Sequence, residues 1–182
     1  MQIGQILFRE SVLLITCCII LISLIVTFSC SDDPTSPKQI DNNIVLVWGH
    51  CGEGQCDVPA RNADFIAVTG SNNHSLGLKS DGTIVAWGDN SFGQCNVPAP
   101  NADFVARAAG GECVPSPPCT GPSHSLGLKA DSTIVAWGDN SSGQCDIPAP
   151  NDAFVGIAAN VNYSLGLKAD GSIIGWGVNS DN

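Results

Sequence analysis

The segment Ile84-Val-Ala-Trp-Gly-Asp-Asn-Ser-Phe-Gly-Gln-Cys-Asn-Val-Pro98 recurs almost letter for letter as Ile134-Val-Ala-Trp-Gly-Asp-Asn-Ser-Ser-Gly-Gln-Cys-Asp-Ile-Pro148. Weaker copies begin at Ile44 and Ile173, and the Trp-Gly pairs fall at Trp48, Trp87, Trp137 and Trp176, with spacings of 39, 50 and 39. A tandem repeat of this length specifies an array of small units, none of which buries its apolar face alone. Function then belongs to a surface shared by several units. The array gives residues 44–182, with complete units at 49–87, 88–137 and 138–176 and an isolated strand before them.

Each unit reads as three short strands and one long loop. Phe65-Ile-Ala-Val is an aromatic and β-branched run, and Gly70-Ser-Asn-Asn is turn-rich. His74-Ser-Leu-Gly-Leu-Lys79 alternates with period two. Asp81-Gly82 then predicts a two-residue hairpin with positive φ at both positions, and Asp131-Ser132 and Asp170-Gly171 repeat it. Thr83-Ile-Val-Ala-Trp87 is the third strand. Leu76, Leu78 and Ile84 are expected on one face of the sheet, Val85 and Trp87 on the other, with Gly77 and Ala86 allowing neighbouring sheets to approach. Sheets apolar on both faces stack, and radial stacking gives an all-β propeller. A β-solenoid is the alternative, but it does not need a reversing hairpin in every unit.

The N-terminal part is of another kind. Val12–Phe28 is an uncharged apolar run, followed by Ser29-Cys30 and the polar stretch 31–43. An apolar run ending in a small residue and a cysteine resembles a bacterial lipoprotein signal, which would make Cys30 a lipidated N-terminus. An uncleaved anchor and a plain secretory signal over residues 1–30 are the other readings. All three place the repeats outside the cytoplasm, in the periplasm or at the cell surface. The exported part carries the whole net charge of −10 and only scattered basic residues, so nucleic acid is not an expected partner.

The pattern Trp-Gly-x-Asn-x-x-Gly-Gln, a Phe-Val strand, and His-Ser-Leu-Gly-Leu-Lys-x-Asp-Gly-Thr-Ile-Val-Ala-Trp-Gly resembles the regulator of chromosome condensation repeat family. It is most similar to a compact bacterial branch that includes a secreted β-lactamase-inhibitor propeller. The resemblance covers Ile44 to Asn179 and implies a seven-bladed ring. Seven such units need about twice the chain available, so the sequence implies a fragment, an open arc, or half of an oligomeric ring completed by self-association.

Candidate sites follow from the repeat. His74 and His124 share one position with Tyr163, a substitution that suits a packed strand residue better than a ligand. Asp89-Asn90-Ser91 and Asp139-Asn140-Ser141 read as turn-stabilising loops, because the further acidic ligands of a calcium loop do not follow. The four tryptophans are expected between blades. Cys56, Cys95 and Cys145 are expected as small buried hydrophobes rather than mutual partners. No catalytic triad, paired-histidine metal motif or phosphate loop appears, so neither enzyme activity nor a cofactor is expected.

The second unit is 11 residues longer than the others, and the excess falls within Gly110 to Ser123, where the others have a short turn. Within it Cys113 and Cys119 bracket Val114-Pro115-Ser116-Pro117-Pro118. Insertions in repeat proteins collect on binding faces, and a Cys113–Cys119 disulfide would preorganise this loop, with Glu112 at its base. The expected function is an exported, membrane-anchored, non-enzymatic module that presents inter-blade loops to a protein or glycan. The alternatives are a lyase-type or enzyme-accessory propeller using Asp89 and Asp139, and a β-lactamase-inhibitor-like protein binder.

Overall fold

The protein is described here as a computed structural model covering residues 26–28, 45–48, 51–60, 63–112 and 121–178. Eleven strands occur among these residues and no helix. They are β1 (Val26–Phe28), β2 (Leu46–Trp48), β3 (Phe65–Gly70), β4 (His74–Lys79), β5 (Ile84–Gly88), β6 (Phe104–Gly111), β7 (Ser123–Lys129), β8 (Ile134–Gly138), β9 (Phe154–Ala159), β10 (Tyr163–Lys168) and β11 (Ile173–Gly177). β3-β4-β5, β6-β7-β8 and β9-β10-β11 form three antiparallel sheets. These are the three blades expected from the repeat, in an open arrangement. β1 and β2 form a separate parallel pair. No helix among the described residues is long and apolar enough to cross a membrane. Cys30, the polar stretch 31–43 and most of the N-terminal apolar run lie outside the described residues.

Cross-strand pairing explains the two apolar faces. Leu76 opposes Ala86 and Leu78 opposes Ile84, while Ser75 opposes Trp87 and Gly77 opposes Val85. The Leu76, Leu78 and Ile84 face packs on Phe104 and Trp137 of the second blade. The equivalent Leu126, Leu128 and Ile134 face packs on Phe154 and Trp176 of the third. On the first blade's other face, Trp87 and Val68 are covered by Val45, Val47 and Val58. Val45 and β2 thus cover the face that a preceding blade would cover.

Gly77 serves its own blade more directly than its neighbour. The first strand begins with a bulge after Phe65, and the bulge lays the Phe65 ring over Gly77. A Cβ there would lie 2.2 Å from the ring, and at Gly127 and Gly166 the distances to Phe104 and Phe154 are 2.3 and 2.4 Å. The ring is flanked by the tryptophan of the same blade, with centroids 6.2 to 6.5 Å apart. Lys79, Lys129 and Lys168 sit over the same rings, which accounts for the recurring lysine.

The hairpins fall where expected but are one residue longer. Gly82 N–H donates to Lys79 C=O and Lys79 N–H to Thr83 C=O. Only the second residue of each pair has positive φ: Gly82 at 78°, Ser132 at 67° and Gly171 at 88°. This is a three-residue loop with the left-handed residue last. The preceding aspartate instead accepts from the Thr83, Thr133 or Ser172 backbone and hydroxyl. These hydrogen bonds to the ionised carboxyl lower the pKa of Asp81, Asp131 and Asp170.

Candidate functional site

Neighbouring blades are joined by one repeated polar lock. Ser125 Oγ donates to Gln94 C=O at 2.9 Å, leaving its lone pairs to receive His74 Nε2–H at 2.9 Å. At the next joint Ser164 Oγ donates to Gln144 C=O and receives His124 Nε2–H, both at 2.8 Å. The same glutamine carbonyls receive the indole N–H of Trp137 and Trp176 at 2.8 Å. Both histidines are fully buried. Burial lowers the His74 pKa to about 4, with a further lowering from His124 and an opposing pull from Asp89. Burial likewise takes His124 to about 4 against the pull of Asp139. His74 Nδ1 accepts from Ser71, whereas His124 Nδ1 has no partner among the described residues. The second unit's insertion replaces the turn that carries Ser71.

The aspartates of the long loops are braces. Asp89 accepts from Ser91 and from Gln94 Nε2, and Asp139 from Ser141 and Gln144. Asn90 receives the Cys95 N–H at 2.9 Å and donates to Asn96 at 2.9 Å, and Asn140 repeats this with Cys145 and Asp146. These contacts confirm the turn role. The residues of the lyase-type alternative are therefore engaged in holding loops. No group of metal-ligating side chains occurs among the described residues.

The cysteines require a correction. Cys56 is bonded to Cys51 rather than acting as a simple buried hydrophobe, with Cα atoms 5.2 Å apart. Cys95 and Cys145 are free and only half-buried, and their thiols donate to Asp89 and Asp139 carbonyls. Burial raises both thiol pKa values to about 11, assisted by the aspartates, so neither is an activated nucleophile.

Trp137 and Trp176 are buried between blades, Trp87 is buried beneath Val45, Val47 and Val58, and Trp48 lies in β2. Sequence reasoning missed Asn101 and Asn151. Each receives the N–H of Ile84 or Ile134 and donates back to the same residue's carbonyl, sealing an exposed strand edge as a paired strand would.

The insertion rises from a pinned neck. β6 and β7 continue their ladder to Gly111 and Ser123, and Glu112 N–H donates to Pro122 C=O at 3.3 Å. A Cβ on Gly121 would lie 2.1 Å from Glu112 O, so only glycine permits this approach. The first blade holds the neck from outside. Buried Asn73 donates to Gly121 C=O and receives the Ser123 hydroxyl, and Asn72 donates to Gly111 C=O. Glu112 is exposed. Cys113, Val114, Pro115, Ser116, Pro117, Pro118 and Cys119 lie outside the described residues. The neck is at the blade end that also carries the long loops.

The family model described as "Regulator of chromosome condensation (RCC1) repeat" matches residues 65–94 and 119–144. No curated protein sequence matches the chain. Solved structures share the fold. The ectodomain of the Physcomitrella patens receptor kinase CR4 is 23% identical, with a TM-score of 0.53, over 66% of this chain and 31% of that one. Prp20p from Saccharomyces cerevisiae is 20% identical, with a TM-score of 0.51, over 65% and 33%. A second structure, yeast RCC1 (Prp20) with Kap60 bound, gives 21%, 0.52, 71% and 38%. The chain thus spans about a third of the length of these solved chains. Over those two segments the chain is similar to the regulator of chromosome condensation (RCC1) repeat, and its three described sheets share the fold of these solved structures.

Proposed function

We propose that this chain is an exported, membrane-anchored binding module that presents the neck-mounted insertion of its second blade, with the adjacent long loops, to a protein partner. The observation that carries the reading is the neck. The chain lengthens one hairpin, requires glycine at Gly121, and clamps the base from the neighbouring blade through Asn72 and Asn73. A loop held this firmly at its base loses less freedom on binding. The reading gains support from Prp20p, whose structures are described with Kap60 and with binding to Gsp1p and histones, all protein partners. The histidines and loop aspartates are occupied in blade joints and braces, which favours binding over catalysis. Cys30 supplies the anchor in this reading, and a β-lactamase is one target class the compact branch suggests.

The test is a graft. Residues 110–123 are replaced by the first unit's turn, Ser71–Asn73, and the partner captured by the native chain is assayed against the grafted one. The graft is expected to fold with unchanged sheet signal and to lose the partner. Full retention of the partner by a folded graft contradicts the proposal.

A further inference from the structure

Each joint between blades is made from two halves. One is the forward face of a blade: Leu76, Leu78, Ile84 and His74 at the first joint, Leu126, Leu128, Ile134 and His124 at the second. The other is the rear face of the next blade. It supplies a phenylalanine, a tryptophan and a serine that receives the histidine N–H, with a glutamine carbonyl that takes the serine and indole protons.

The chain carries one more half of each kind, at opposite ends of the array. The third blade repeats the forward face with Leu165, Leu167 and Ile173, and Tyr163 stands in the histidine position. Leu167, Ile173 and Tyr163 are exposed. Asn160 Nδ2 donates to Tyr163 Oη at 2.8 Å, which leaves the phenol proton to donate, and no acceptor among the described residues takes it. The first blade repeats the rear face with Phe65, Trp87 and Ser75. Gln55 C=O already holds the Ser75 and Trp87 protons at 3.2 and 2.8 Å. Among the described residues no donor reaches Ser75 Oγ as the histidines reach Ser125 and Ser164. Phe65 is half-buried, whereas Phe104 and Phe154 are 3% and 1% exposed.

The rear face of the first blade is covered by a short imitation of a forward face. Aligned on the tryptophans, Val45 and Val47 correspond to Ile84 and Ala86, to Ile134 and Ala136, and to Ile173 and Gly175. They pack on Trp87 and Val68, so β2 does there what the outer strand of a blade does at the other joints. The strand paired with β2 is β1, three residues long and parallel. In the blades the strand in that position has six or seven residues, runs antiparallel and carries the two leucines.

We propose that the β1-β2 pair is a displaceable cap, and that the third blade of a second copy of this chain takes its place, joining two copies head to tail. The new joint sets Leu165, Leu167 and Ile173 of one copy on Phe65 and Trp87 of the other, with Tyr163 O–H donating to Ser75 Oγ. A second copy is the occupant because the two unmatched halves answer each other element by element within one sequence. Each pair of copies keeps one half of each kind free, so the contact is heterologous. The incoming blade brings two leucines and an isoleucine where the cap brings two valines. Only uncapped copies can receive it, so the apparent affinity is set by the uncapped fraction. The pairing is independent of the partner proposed for the insertion.

Photo-cross-linking of the purified full-length chain tests this. The exposed Ile173 is replaced by p-benzoylphenylalanine, isotopically light and heavy copies are mixed, and the cross-linked peptides are mapped. Light-to-heavy cross-links should join position 173 of one copy to residues 65–87 of the other, with a yield that rises with concentration. A second probe at Leu167 should give the same map. Val45→Ser with Val47→Ser, which loosens the cap and leaves both halves of the joint intact, should raise the apparent association constant by roughly tenfold, and the milder Val45→Ala should raise it less. Cross-links confined to one copy, cross-links to the other copy's third blade, or no cross-link at any concentration would each overturn the head-to-tail pairing. Unchanged association in both cap variants would overturn the cap.

Discussion

Burial keeps His74 and His124 neutral, and each donates Nε2–H to a serine whose own proton is already committed to a glutamine carbonyl. Their depressed pKa sets the sign of the acid response. Between pH 6.5 and about 4 the unfolded chain binds protons that the folded chain refuses, so stability falls as pH falls through that window and levels off below it. Lowering pH from 7 to 5 should cost on the order of 2 kcal/mol per histidine. Denaturant titrations at the two pH values check this, and His74→Gln with His124→Gln should flatten the difference. The positions at which side-chain volume matters most are the ring-covered glycines. Gly127→Ala should cost about 1–3 kcal/mol by overpacking against Phe104, read as a lower denaturation midpoint at unchanged slope. Ser132 holds a left-handed φ of 67°, so Ser132→Gly should stabilise by up to about 1 kcal/mol; a destabilised variant would contradict the turn geometry.

At the scale of the element, the hairpins and strand faces were legible because Asp-Gly pairs and period-two alternation are local signals. The extra loop residue was not, since a type I turn with a trailing left-handed residue shares the same Asp-Gly letters. The histidine joint was half legible. Its repeat position showed that it packs, but its partner Ser125 lies 51 residues away and becomes a neighbour only when blades stack. The Cys51–Cys56 bridge could have been found by laying the three loops over one another, which sets Cys51 against Asn90 and Asn140. The insertion was legible as an excess of length, while its neck depends on backbone pairing that length does not reveal. The Glu112–Pro122 bond brings the flanks of Cys113 and Cys119 together, so this pair is expected to be oxidised in exported protein. Replacing both by serine should leave the melting temperature nearly unchanged and weaken the partner contact. Peptide mapping that finds both thiols free would count against it.

The three described blades form an open arrangement, and the outer face of the third is exposed. Leu78, Ile84, Leu128 and Ile134 are at most 4% exposed, whereas Leu167 and Ile173, at the same positions of the third blade, are 41% and 67% exposed. Tyr163 takes the histidine position there and bonds Asn160 of its own turn. A surface built to receive a blade is thus left uncovered, and sedimentation should show concentration-dependent association that Ile173→Asp weakens. Export is tested by labelling cells with a palmitate analogue: Cys30→Ala should lose the label, and equal labelling would contradict the lipid anchor. The account's central claim is that consecutive units stack face to face as blades through the histidine joint. A double-mutant cycle on His74→Ala and Ser125→Ala measures that contact across two units. The account predicts a coupling of about 1 kcal/mol or more between these residues, and effects that add to within about 0.3 kcal/mol would contradict it.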